Sequence, residues 1–549
     1  MSRYESEMRS EHSGNEMSVV VVGSGLAAVG VIRRLLASGI KPTVLDIGDV
    51  LPQHLSNLRG TLAARSPAQW TGNERRAVAR NDGVPGRVVP RKLVLGSDYF
   101  YSNEQMSATR DGIASPGSPP WSPARGGFSV GWGAAVLPPA PEDLMGWPFD
   151  RDEILRHARQ AVIDIPVSEP RDEISETFGV VAPDKERVLP LSIGQRRLLD
   201  KLSCGVGESH GGRFMVGQSR LLTEADGGRT TGCRMCGNCS SGCVYGAIYT
   251  AEHDINRWIE SGAIEYRPGI TVFRLLEVGN TVRISTTSAL GLEEFEADRV
   301  FLAAGAVNSS RILLNSSPTN LQTATIRSTG AVLQLFGSVS RLPVSWPSMN
   351  TQTAIFMEIL APDVTPHWAH VQIGQPNELL LRRLGVSDTD ASAMKSRVIG
   401  RTAGHLVTTM LNLHSDHGPR YDMSSSRSDD GLGAVSTTYS WDRAGRSTAA
   451  EIMKKLNRVM RKSGFQRIPF ASQYSAALQG FHFGSSFPMS QQPAGDHDTD
   501  RLGRPFGWRR THVCDTTALP AIPGTTIGLL TMANAHRIAS AVCENTDGL

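Results

Sequence analysis

The stretch VVVVGSGLAAVGVIRRLLASGIKPTVLD, from Val19 to Asp46, decides how the chain is read. Four consecutive valines suit a buried parallel strand. Gly23-Ser24-Gly25 ends that run, and an apolar helical pattern follows from Leu26 to Ser38. Gly39 stands where a C-terminal cap glycine belongs, and Pro42-Thr43-Val44-Leu45 reads as a second strand ending at Asp46. Strand, glycine turn, helix, strand and terminal acid make up a dinucleotide-binding βαβ unit. Gly23 permits the tight turn and Gly25 lets the backbone approach a pyrophosphate. Leu26, Ala27 and Ala28 open the helix whose unpaired N–H groups face that anion, and Ala28 keeps helix and strand close. Asp46 can accept the hydrogen bonds of a ribose diol. The plain alternative is an ordinary strand–helix turn that contains glycines; the acid at the right distance favours the nucleotide. FAD and NAD are not distinguished by this unit.

Composition narrows the field. The chain has 549 residues and a formal net charge of +3. Its charges are dispersed, so there is no electrostatic case for nucleic acid or anionic lipid. Residues 1–16 are polar and read as a disordered leader, without the apolar stretch of a signal peptide. No apolar run approaches a membrane span. The expected location is cytoplasmic, with export beside a signal-bearing partner left open.

Working outward, Leu51 to Arg91 shows no period and reads as an irregular functional loop or lid. LVLGSDYFYS (Leu93–Ser102) and a Gly/Ser/Pro-rich loop (Asp111–Ala124) follow, then GGFSVGWGAAVLPP, in which small residues surround Trp132. Such residues let a backbone lie against a large flat ligand, though a glycine-rich surface turn has the same composition. Helical patterns run from Glu142 to Ile163 and from Ile193 to Cys204. Ile270–Val278 and Val282–Thr286 read as a hairpin turning at Gly279-Asn280. Ala297–Ser316 repeats the strand–turn–helix pattern, and beyond Ser316 the runs read as antiparallel strands with one amphipathic helix, Thr448–Ser463. The expected fold is α/β. A Rossmann-like nucleotide domain (17–316 and 475–549) carries an inserted α+β substrate domain (317–474) on a mostly antiparallel sheet.

Taken together, VVVVGSGLAA, LVLGSDYFY, GGFSVGWGAAVLP, FLAAGAVNSSRILL, HFGSSFPM and VCDTTALPAIPGTT…MANAHRIA resemble, in order, the glucose–methanol–choline (GMC) family of FAD-dependent oxidoreductases. The resemblance implies FAD at the opening motif. It implies that Gly127, Ser129 and Trp132 lie near the flavin, that Val272 pairs with adenine, that Gly305 closes over the nucleotide, and that Asp515 contacts the pyrophosphate or ribityl region. His482, in HFGSSFPM, matches the family's catalytic histidine, and a neutral imidazole suits removal of a hydroxyl proton. One departure stands out. Where the family places a second His or Asn, this chain reads Pro523-Gly524-Thr525-Thr526-Ile527-Gly528. Thr525 or Thr526 can orient a substrate but is a poor base. The implied activity is oxidation of a CH–OH group of an alcohol, sugar or polyol. The alternative is a flavoprotein that binds a ligand or carries electrons without oxidising an alcohol.

Four of the seven cysteines fall within eleven residues, as Cys233-x2-Cys236-x2-Cys239-x3-Cys243. A secreted disulfide framework spreads its cysteines more evenly. The spacing is that of ferredoxin-type ligands, but Val rather than Pro follows Cys243. An iron–sulfur cluster, plain structural thiols and, less readily, zinc remain open. A cluster would offer electrons an exit to a partner protein or quinone and make the enzyme a dehydrogenase.

Overall fold

The computed structural model describes residues 17–80, 92–102, 119–184, 187–206, 211–225, 232–384, 400–474 and 481–544. The expected leader, residues 81–91 of the lid and 111–118 of the small-residue loop lie outside them.

Val19–Val22 is wholly buried at the centre of a five-stranded parallel sheet. Thr43–Leu45 and then Glu265–Arg267 lie on one side; Arg299–Leu302 and then Thr511–Val513 lie on the other. The crossover helix Leu26–Ala37 turns Ala27, Ala28, Val31, Ile32 and Leu35 inward. It packs against the final helix, Gly528–Glu544. The contact is close: a Cβ on Gly30 would sit 2.3 Å from the carbonyl oxygen of Met532. The far end of the chain therefore completes the layer that its beginning starts.

The predicted hairpin exists as Thr271–Val278 and Thr281–Ser288, and a third strand, Gly291–Ala297, extends it. A six-stranded antiparallel sheet forms the second body of the molecule. Its order is Phe465–Tyr474, Ala331–Ser338, Leu406–Asn412, Trp368–Gly374, Ile355–Leu360 and Arg213–Gln218. Helices Ile193–Gly205 and Arg443–Lys462 cover one face, where Leu198, Leu202, Ile452, Leu456 and Val459 meet Val332, Met357, Val371 and Leu411. The fold is thus α/β with a parallel sheet and separate antiparallel sheets. The edge strand Arg213–Gln218 comes from within 17–316, so the antiparallel sheet is not built from 317–474 alone. Phe483–Gly484 likewise pairs with Thr323–Ser328, in a four-stranded sheet with Arg420–Ser425 and Val435–Ser440.

The stretch after Leu51 differs from its reading as an irregular lid. Gln53–Ala63 and Gly72–Ala79 are helices. Their charged, weakly periodic sequences hide them, but Thr71 and Glu74 form a reciprocal capping box at the second, a start signal that was legible.

Candidate active site

The turns at the C-terminal ends of the central strands open onto one elongated cavity. Gly23, Gly25, Leu26, Ala27, Asp46, Gly127, Ser129, Trp132, Val272, Gly305, Asp515 and His482 all line it. Ala28 does not: it is fully buried against the core. Thr525 and Thr526 do not line it either, although both are buried.

Each glycine of the cradle has its own reason. Gly23 adopts φ +97° and lies against the Ala303 carbonyl, where a Cβ would approach to 2.5 Å. It fits the two strand-end turns together rather than facing a ligand. Gly25 and Gly305 have nothing within 4 Å of a built Cβ, so both leave cavity space open. Gly25 caps helix Leu26–Ala37 without a side-chain bond, which leaves the first-turn N–H groups for an anion.

Asp46 lies at the end of its strand as expected, but its carboxylate is already engaged. Ser24 Oγ donates to Oδ2 at 2.5 Å and Tyr266 Oη at 2.8 Å. Burial raises its pKa to about 6, and those hydrogen bonds offset part of the rise. Asp515 is engaged more fully. Gly305 N and Ser309 Oγ donate to its Oδ2 at 2.8 and 2.5 Å, and Thr517 N donates to Oδ1 at 2.9 Å. Burial pushes its pKa up as well. This residue builds the Gly305 turn and caps the helix that follows. The Ser129 hydroxyl is also spent on the protein, donating to Gly126 O at 2.6 Å and accepting from Ala251 N at 2.8 Å. Trp132 donates Nε1–H to Tyr249 O at 2.7 Å, which pins the indole at the cavity wall. Gly528 makes room for it, since a Cβ there would lie 2.5 Å from the ring. Sequence reasoning passed over Gly30, Gly528, Ser24 and Tyr266. Gly30 carried a signal, in that it interrupts the helix Leu26–Ala37.

His482 forms part of the far wall, beside Phe481 and Phe128. Its backbone carbonyl accepts from Thr329 N at 3.0 Å and Ser328 Oγ at 3.1 Å, which anchors it to the antiparallel domain. The residue is half-buried, and its Nδ1 is buried without a hydrogen-bond partner. Burial, with His370 adding to it, pushes its pKa down to about 4. At neutral pH it is uncharged and able to take a proton.

The cysteine segment joins the two bodies. Ser240 N donates to Glu378 Oε1, Trp346 Nε1 to Gly237 O at 2.9 Å, and Leu95 N to Ser241 O at 2.9 Å. All four thiols are free. Thr351 N donates to Cys239 Sγ at 3.3 Å, and Asn350 Nδ2 lies 3.7 Å from Cys233 Sγ. Burial raises the thiols of Cys236, Cys239 and Cys243, Cys236 to about 12. Among the described residues no three of these sulfurs lie within 4.8 Å of one another.

His367, His414 and Asp416 do bring ligand-type atoms within 4.8 Å. The two rings stack at 3.7 Å and 12°, so their in-plane lone pairs run parallel instead of converging on one ion. Arg327 already pairs with Asp416. This is an ion-pair cluster, in which Asp143 and Asp416 outweigh burial and hold His367 at about 9.

No protein-family model and no curated protein matches the sequence. Two solved structures share the fold. One is pyridoxine 4-oxidase from Mesorbium loti, with TM-score 0.59 and 15% identity over 96% of this chain and 99% of that one. The other is an FAD-dependent oxidoreductase from Chaetomium thermophilum, with TM-score 0.58 and 12% identity over 97% of this chain and 100% of that one. At these identities the likeness is one of fold. No helix among the described residues is long and apolar enough to cross a membrane.

Proposed function

We propose that this protein is an FAD-dependent oxidoreductase of GMC type. It oxidises a CH–OH group of an alcohol, sugar or polyol, with His482 as the general base. The observation that carries the reading is His482, neutral and half-buried, lining the same cavity as the Gly23–Gly25 cradle. The residues present fit FAD. The open positions at Gly25 and Gly305 and the uncapped helix start accommodate a pyrophosphate. Asp46 supplies a carboxylate for a ribose, and Trp132 offers a flat surface. The two solved structures, by name an oxidase and an FAD-dependent oxidoreductase, support the same chemistry.

When bound, FAD supplies the hydride acceptor. The chain's own part is to position the carbinol against it and to take the hydroxyl proton on an imidazole. Phe128 and Phe481, packed edge to face at 5.2 Å, cover the site beside that imidazole and favour an alcohol on an apolar or aromatic body. The Cys233-x2-Cys236-x2-Cys239-x3-Cys243 sequence spacing is that of the ligands of an iron–sulfur centre, and Asn350 Nδ2 and Thr351 N lie at Cys233 Sγ and Cys239 Sγ as donors to sulfur. Such a centre favours a dehydrogenase that passes electrons to a protein or quinone. The test is to release and identify the cofactor of the purified protein. FAD in near-equimolar amount supports the reading; a colourless protein or bound nicotinamide overturns it.

A further inference from the structure

On the sheet face opposite the two covering helices lies a polar pair that the nucleotide cavity does not explain. Glu358 and His370 are cross-strand partners, and His370 Nδ1 lies 2.7 Å from Glu358 Oε1. Neither residue has any exposed surface. The row continues through Asn412, opposite His370, to Ala331, opposite Asn412. Two residues before Ala331, Thr329 binds the His482 carbonyl, and Ser328 pairs with Phe483. His482 thus joins the fold at the end of this row. The Pro523–Gly528 loop closes over the same strand ends, with a Cβ on Gly524 falling 2.8 Å from Trp368 O and 3.1 Å from Asn412 O.

Several buried atoms gathered here have no hydrogen-bond partner: His370 Nε2, Glu358 Oε2, Asn412 Nδ2, Thr526 Oγ1 and His482 Nδ1. Leaving a buried polar group unpaired is costly, and nearly all such groups in folded proteins are paired. Such groups call for a partner, and a hydroxyl-bearing ligand would supply both donor and acceptor.

The two histidines also differ. His482 has no carboxylate behind its ring, so a proton left on it is an uncompensated buried charge. Glu358 accepts the Nδ1–H of His370, fixes Nε2 as the unprotonated nitrogen and stabilises the imidazolium once Nε2 takes a proton. Glu358 is the carboxylate in hydrogen-bond contact with the ring, Phe356 stacks edge-on to it at 4.6 Å, and His482 is the other titratable group that acts on it.

We propose that the His370–Glu358 pair is the terminal proton acceptor of the oxidation, supplied by the antiparallel sheet where the loop after Asp515 carries no imidazole or amide. The carbinol C–H bond breaks and its electron pair leaves as hydride to the flavin. The hydroxyl proton passes by way of His482 to His370 Nε2, and the C–O single bond becomes C=O. The inference rests on the alcohol-oxidising reading above.

The test compares wild type with Glu358→Gln and His370→Gln in the full-length holoprotein. Flavin reduction is followed anaerobically with benzyl alcohol, 1-hexanol, glycerol and glucose. With flavin content unchanged, Glu358→Gln slows reduction by about 10²-fold. In ¹⁵N-histidine-labelled protein the low-field Nδ1–H signal of a histidine–carboxylate bond is present in wild type and absent from Glu358→Gln, a readout independent of turnover. A wild-type rate of flavin reduction in Glu358→Gln overturns the proton-acceptor role and leaves the function standing. No bleaching of wild type by any of the four alcohols overturns both.

Discussion

The Gly305 amide donates to Asp515 Oδ2 at 2.8 Å, a bond spanning 210 residues of sequence. With Ser309 on the same oxygen and Thr517 on the other, it makes one buried carboxylate the clamp between the second nucleotide turn and the chain's last segment. Asp515→Asn places an amide N–H against donors on at least one side. Stability is expected to fall by about 1–3 kcal/mol, with flavin lost at cofactor concentrations that saturate wild type. Urea unfolding and flavin titration read the two effects.

Gly528 and Trp132 make a second paired constraint. Because Tyr249 O pins the indole, Gly528→Ala cannot be absorbed by moving the ring without pushing it into the cavity. A loss of about 1–3 kcal/mol is expected, together with weaker flavin binding. Unchanged flavin affinity would show that the indole wall is not part of the cofactor site.

His512 makes the pH dependence testable away from the cavity. Burial pushes its pKa down to about 4, as it does for His482 and His536. The folded state keeps the ring neutral, whereas the unfolded chain binds a proton below about 6.5. The stability this confers is complete above that value and is lost as pH falls towards 4. The buried Asp46, raised to about 6, acts in the opposite direction, so the net slope mixes both. His512→Phe, which keeps the stack on Phe301, should shrink the stability difference between pH 7 and pH 5 by about 2 kcal/mol.

The thiols are tested by analysis of metal content. Anaerobically purified protein is expected to hold iron and acid-labile sulfide, and Cys239→Ser to lose both while keeping its flavin. One equivalent of zinc, or four freely titrating thiols with no metal, would contradict the iron–sulfur reading.

Much of this was legible in the sequence, for local reasons. The βαβ unit shows because strand, turn and helix are contiguous and each uses residues that few other structures want. The hairpin at Gly279-Asn280 shows because its turn fixes the register. What stayed hidden depends on contacts between distant segments. Arg213–Gln218 is a strand because it pairs with Ile355–Leu360, and its own six residues do not say so. Asp515 and Ser129 stood out as cofactor ligands, but only tertiary structure reveals that protein donors and acceptors already occupy them. The His370–Glu358 pair could not be read at all. A His and a Glu twelve residues apart carry no period, and they meet because a hairpin register sets them opposite each other.

The central claim is that His482 takes part in flavin-coupled oxidation at this cavity. The measurement that tests it most directly is anaerobic flavin reduction by alcohols in wild type and His482→Ala, at matched flavin content. The account predicts bleaching in wild type and a loss of about 10²-fold or more in the variant. Equal rates in the two proteins would contradict it.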